Sequence, residues 1–268
     1  MEWRNIYRGF CIGVSDLIPG VSGGTIAVVL GIYEQLLAAI SGFFSREWKK
    51  HLGFLIPLGL GVVAAFATLS HVIKYLLEFH HEPTQFFFLG LIVSIIPMLM
   101  KEANVKETFK AGHVVVLVIA AAFVAMTGFL KPEEAAEPIT TITLLSAIGL
   151  FFSGWLASMA MLLPGISGSF VLLIIGVYPT AINALTELNF PIIAAIGAGA
   201  VVGFIVSSKG ISYLLKHFAT MTFAVIIGLV IGSLVVIFPG IPAGVTKIVV
   251  SIITFVLGYA IVAYFSKK

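Results

Sequence analysis

Two acidic residues and two proline–glycine–serine turns carry most of the polar chemistry that this sequence places in apolar surroundings. Asp16 and Glu34 interrupt stretches that are otherwise hydrophobic, and a carboxylate at membrane depth is expensive enough to imply a task. Asp16 opens the stretch DLIPGVSGGT at residues 16–25, and a related stretch, LLPGISGS, occupies residues 162–169. Pro19 with Gly20, and Pro164 with Gly165, should stop one helix, with a second starting near residues 23–25 and 168–170. Such a start directs unbonded N–H groups and the positive end of a helix dipole into the space ahead. Gly23, Gly24 and Gly168 permit close backbone approach, and Ser22, Thr25, Ser167 and Ser169 add hydroxyl donors. These residue types suit the binding of an anion such as phosphate, and no catalytic residue is expected. Small residues that merely let helices pack closely are the competing reading. For a single copy of the motif that reading would be preferred.

The elements that must position these turns follow from composition. Of the 268 residues, 60% are hydrophobic and 10% charged, against roughly 45–50% and about 25% in a soluble domain. One soluble core of this size could not bury so much apolar surface, so the chain reads as an all-α polytopic membrane protein. Apolar runs lie at residues 9–18, 25–44, 52–77, 84–100 and 112–130, then at 142–163, 169–188, 190–215, 219–238 and 245–265. Runs near twenty residues match the length that crosses ~30 Å of hydrocarbon. The first run, as a helix, reaches only about 15 Å, the bilayer midplane. The run 25–44 needs a bend, for which Gly31 and Ser41-Gly42 offer places, and Pro179 is expected to interrupt 169–188 in the same way.

The halves repeat each other. LIPGVSGGTIAVVLGIY (17–33) aligns with LLPGISGSFVLLIIGVY (162–178) at an offset of 145, and further along Gly59, Gly61 and Gly90 match Gly197, Gly199 and Gly228 at an offset of 138. The expected domains are a first repeat at 1–130 with its hairpin tip at 19–25, an extracellular linker at 131–141, and a second repeat at 142–268 with its tip at 164–169. If each tip ends a re-entrant hairpin, three further crossings follow in each half and the second repeat is inverted. Of the 15 Lys and Arg, only Lys74, Lys131 and Lys247 then lie outside, as positive-inside bias prefers. Both termini are expected to be cytoplasmic, because residues 1–10 are too polar for a signal-peptide core.

The duplication is chemically one-sided: Asp16 and Glu34 correspond to Met161 and Pro179. Both carboxylates are candidates for coupling transport to protons. The bland alternatives are that Asp16 caps a helix start and Glu34 reaches the interface. Arg8, near the mouth of the first hairpin, could attract phosphate, although interfacial snorkelling explains it equally well. The histidines show no metal-ligand spacing, and neither a metal nor another cofactor is expected. Cys11 reads as a small buried hydrophobe, and the net charge of +3, scattered over short loops, does not suit nucleic acid.

The stretches GVSDLIPGVSGGTIAVVLGIYE (13–34) and LLPGISGSF (162–170) resemble the bacterial polyprenyl-phosphate transporter family, formerly a domain of unknown function. The resemblance covers essentially the whole chain. It implies a translocase in the bacterial cytoplasmic membrane that returns undecaprenyl phosphate from the outer to the inner leaflet for peptidoglycan and teichoic-acid synthesis. Motif positions carried over are Asp16, Pro19, Gly20, Ser22, Gly23, Gly24, Thr25, Gly31, Tyr33 and Glu34, with Pro164, Gly165, Ser167, Gly168 and Ser169 in the second copy. Two other classes compete. An anion channel or exchanger would also use helix starts at the midplane. An undecaprenyl-pyrophosphate phosphatase-like enzyme would want a cation at the leaving phosphate and paired carboxylates, and neither tip contains an arginine or a carboxylate pair.

Overall fold

The protein is described by a computed structural model over residues 2–18, 21–43, 45–129 and 138–265. Their regular secondary structure is helical, with no strand among these residues. The first half contains α1 (Asn5–Asp16), α2 (Gly23–Val29), α3 (Tyr33–Ser41), α4 (Trp48–Phe79), α5 (His81–Glu102), α6 (Val105–Thr108) and α7 (Ala111–Thr127). The second contains α8 (Leu144–Leu162), α9 (Gly168–Ile174), α10 (Tyr178–Thr186), α11 (Phe190–His217), α12 (Ala219–Ile237) and α13 (Val245–Phe265). Among the described residues, α4, α5, α8, α11, α12 and α13 are long and apolar enough to cross a membrane.

Apart from the single turn α6, the element order of the first half recurs in the second, down to a seven-residue α2 and α9 and a nine-residue α3 and α10. The packing recurs too. α1 lies against α4 and α8 against α11, while α5 pairs with α13 and α12 with α7 across the halves. Close backbone approach makes these pairings. A Cβ at Gly9 would strike the backbone of Leu58, and one at Gly61 that of Ile6. At the repeat offsets, Gly154 abuts Ile196 and Gly199 abuts Phe151 in the same way. Small residues at crossings are how membrane helices gain contact where the lipid is as apolar as the protein.

The buried face of α1 runs through Asn5, Gly9, Ile12 and Gly13, the spacing of one helical stripe. Cys11 falls off that stripe and is exposed, which corrects its expected burial. The bend in each returning arm is also relocated for one copy. Gly31, with φ +64°, separates α2 from α3, and Gly176, with φ +73°, separates α9 from α10, where the axes turn by 110°. Pro179 does not interrupt the run; it occupies the first turn of α10, where its missing N–H is no loss. The leading arms differ in length. α1 has 12 residues and α8 has 19, about 18 Å and about 28 Å of helix.

Candidate tip-to-tip phosphate site

α1 stops at Asp16 and the chain turns into α2. The Asp16 carboxylate accepts a hydrogen bond from the Gly23 N–H at 2.9 Å. Ser22, the N-cap of α2, accepts through its hydroxyl from the Gly24 N–H at 3.2 Å. Two of the amides left unpaired by every helix start are therefore satisfied from within the first tip. Pro19 and Gly20, expected to contact phosphate, lie outside the described residues.

The second tip docks against this start. The last carbonyls of α8 have no partner inside the helix, and the first half supplies them. The Tyr33 hydroxyl donates to the Leu162 carbonyl at 2.9 Å, and the Ser22 hydroxyl donates to that of Leu163 at 3.4 Å. In return the Gly165 N–H donates to Thr25 Oγ1 at 2.8 Å. Gly165, with φ +91°, adopts a conformation that L side chains rarely reach, and it abuts Leu229 and Val230 of α12. Pro164 is buried beside it. A Cβ at Gly24 would stand 2.9 Å from the Met161 carbonyl. The two expected sites are thus in direct contact, through residues about 140 positions apart.

The tips are not equivalent. Ser22 and Thr25 are 2% and 1% exposed, and their hydroxyls are engaged in joining the halves. Ser167 is half-buried and Ser169 exposed, their hydroxyls 2.9 Å apart. Among the described residues, the Gly168 and Ser169 amides at the start of α9 have no hydrogen-bond partner. Tyr178, the counterpart of Tyr33, likewise makes no bond to the first tip. α2 is buried along residues 23–28, whereas in α9 only Gly168 is buried.

Two cavities flank the tips between α4 and α11. One, of about 580 Å³, is lined by Asp16, Ser22, Gly23, Ser158, Ser167, Gly168, Ser169 and Tyr178 together with Phe66 and Phe204. The other, of about 400 Å³, is almost wholly apolar, with Ile12, Leu36, Ile40, Phe43, Leu58 and Ile205 in its wall. Asp16, Gly23, Met161 and Phe204 line both, so the cavities adjoin at the tips. They are also related by the duplication: Ile12 and Ala157, Gly24 and Ser169, and Leu58 and Ile196 are matched pairs with one member in each. Ser158, Tyr178 and the pair Phe66 and Phe204 were not among the expected site residues, although Tyr178 matches Tyr33 at the offset of 145 and the two phenylalanines match at the offset of 138.

The remaining expected residues lie elsewhere. Glu34, in the first turn of α3, lines a separate cavity with Lys101 and Glu102, so it does not share a cavity with Asp16. Arg8 lines neither tip cavity. Among the described residues no group of three His, Cys, Asp or Glu is placed to hold a metal ion.

Comparison with known proteins bears on this geometry. The family described as undecaprenyl phosphate translocase-like matches residues 12–256. A polyprenyl-phosphate transporter of Staphylococcus aureus (strain NCTC 8325 / PS 47) is 47% identical over 97% of this chain and 94% of its own. One of Vibrio cholerae serotype O1 (strain ATCC 39315 / El Tor Inaba N16961) is 34% identical over 89% of this chain and 79% of its own. No solved structure matches.

Proposed function

The chain belongs to the undecaprenyl phosphate translocase-like family, and on that premise we propose that it returns undecaprenyl phosphate from the outer to the inner leaflet of the bacterial cytoplasmic membrane. One observation carries the reading. A cavity with serine hydroxyls and open amides adjoins a cavity that is almost wholly apolar, and both meet at the tips. A polyprenyl phosphate has the same two parts, a head group that needs donors and a tail that needs only apolar contact. The head is read at the Gly168 and Ser169 amides and the Ser167 and Ser169 hydroxyls, with the tail along Leu36, Leu58 and Phe204. A chloride path would need no apolar cavity. Reconstitution into liposomes carrying a polyprenyl phosphate tests the proposal. The protein should make the inner-leaflet pool accessible to a phosphatase added outside, and chloride flux without lipid movement would transfer it to the anion-channel reading.

In this reading the two hairpins enter from opposite faces, with both termini cytoplasmic. A cysteine at Glu134 should then react with an impermeant thiol reagent in intact cells, and one at Lys106 only after permeabilisation. Labelling of the Lys106 position in intact cells would remove the inverted arrangement.

Proton coupling through Asp16 is part of the proposal. Inward movement of an anionic head opposes an inside-negative potential by ~2.3 kcal/mol per charge per 100 mV. Asp16 is the sole carboxylate among the described residues lining the head-group cavity. Two negative charges 5 Å apart repel by roughly 3 kcal/mol at an effective dielectric constant near 20. A proton that enters on Asp16 with each negative charge removes both penalties. Asp16→Asn retains an oxygen to accept from the Gly23 N–H but cannot titrate. The variant is expected to bind lipid phosphate and to lose the pH dependence of net transport. An unchanged pH response in both Asp16→Asn and Glu34→Gln would end the coupling role.

A further inference from the structure

A further cavity with basic residues in its wall lies away from the tips. The first turns of α1, α3 and α4 enclose a cavity of about 750 Å³ whose wall includes Arg4, Arg8, Gln35, Lys50 and His51. It shares no lining residue with the two tip cavities. Glu2 is its one acidic wall residue, and that carboxylate already accepts from the Asn5 amide at 3.2 Å. Arg8 donates through one terminal nitrogen to Asn5 Oδ1 at 2.9 Å, while its Nε is buried and has no partner. Lys50 has only a 3.8 Å ion pair to Glu47, with both side chains largely exposed. Arg8 keeps terminal N–H groups beyond the one bound to Asn5, and Lys50 its ammonium, both as wall residues of this cavity; a guanidinium presents its donors in a plane that matches phosphate oxygens.

The aromatic residues around the cavity point to the form of phosphate. Trp3, in its wall, is 61% exposed, and Tyr7 and Trp48 are exposed beside it. Amphipathic rings of this kind collect at the level of lipid head groups. Ala38, Ala39 and Phe54 make the rest of the wall apolar. Basic pockets between membrane helices at this level hold anionic lipid head groups. We propose that this cavity binds the phosphate head group of an anionic lipid at the interface where α1 begins. The inference needs the membrane placement of the chain and not the transport reading.

The test uses the full chain in phosphatidylcholine nanodiscs, with Trp48→Phe and Trp155→Phe leaving Trp3 as the reporter. Phosphatidylglycerol, a short-chain polyprenyl phosphate and inorganic phosphate are titrated separately. Saturable change in Trp3 fluorescence with either lipid is expected. Saturation by phosphatidylglycerol identifies a site for anionic lipids in general, and saturation by polyprenyl phosphate alone identifies the carrier itself. Arg4→Gln with Arg8→Gln should raise the apparent Kd at least tenfold. Lys50→Gln, at an exposed position, should raise it severalfold. Unchanged affinity in both variants, no Trp3 response to either lipid, or a response to inorganic phosphate alone overturns the proposal. Loss of transport in tip variants with normal Trp3 titration keeps the two sites separate.

Discussion

Gly168→Val is expected to abolish movement of lipid phosphate while the protein remains folded and monodisperse. A Cβ at this position would stand 2.6 Å from the Ala157 carbonyl and 2.5 Å from Met161 Cγ, inside the wall where the two cavities adjoin. The methionine side chain can move, but the α8 backbone cannot yield without shifting the tip. The two further methyl groups of valine enter the space in front of the Gly168 and Ser169 amides. The clash should lower stability without unfolding the protein, because apart from Gly168 no residue of α9 is buried. Removal of a hydroxyl should do far less. Ser167→Ala deletes one donor, and a neutral hydrogen bond contributes only ~0.5–1.5 kcal/mol. Transport by Gly168→Val at the wild-type rate would mean that the tips are packing elements and that the head group binds elsewhere.

The second large effect is on stability, and it changes sign over two residues. Gly61→Ala and Gly199→Ala should lower the unfolding temperature sharply, whereas Gly59→Ala and Gly197→Ala should leave it unchanged or raise it. Within a helix, alanine is favoured over glycine by ~1 kcal/mol, which is the whole effect at Gly59 and Gly197, where a Cβ would meet nothing within 4 Å. At Gly61 the same atom would enter the Ile6 carbonyl, and at Gly199 that of Phe151. Overpacking of this kind costs typically ~1–3 kcal/mol, and here it separates α1 from α4 or α8 from α11. Thermal unfolding of the four variants in one detergent provides the comparison. Equal behaviour of Gly59→Ala and Gly61→Ala would contradict the backbone contact between α1 and α4.

Much of the fold was legible because it depends on local pattern. Apolar runs near twenty residues anticipated α4, α5, α11, α12 and α13, since the hydrocarbon demands both their length and their composition. The P-G-x-S-G stretches anticipated both tips, because proline and glycine end helices wherever they stand. The family resemblance rested on those stretches and was borne out. Where two residues competed for one role, local pattern misled: Pro179 was the expected break, but only Gly176 reaches the positive φ that the bend requires.

The sequence by itself determined that this chain is a helical membrane protein, that its P-G-x-S-G stretch recurs, and where its polar turns fall. Each of these is a property of neighbouring residues or of a repeated string, and neither changes when the helices are assembled. Only the tertiary structure decided how the turns are used. Ser22 and Thr25 have the same donor chemistry as Ser167 and Ser169, yet the first pair joins the halves and the second faces a cavity. Asp16 is held by the Gly23 N–H, and Glu34 stands in another cavity with Glu102. A hydrogen-bonding group takes whichever partner the fold brings within about 3 Å. For Thr25 that partner is Gly165, 140 residues away, a separation at which residue spacing carries no geometric information.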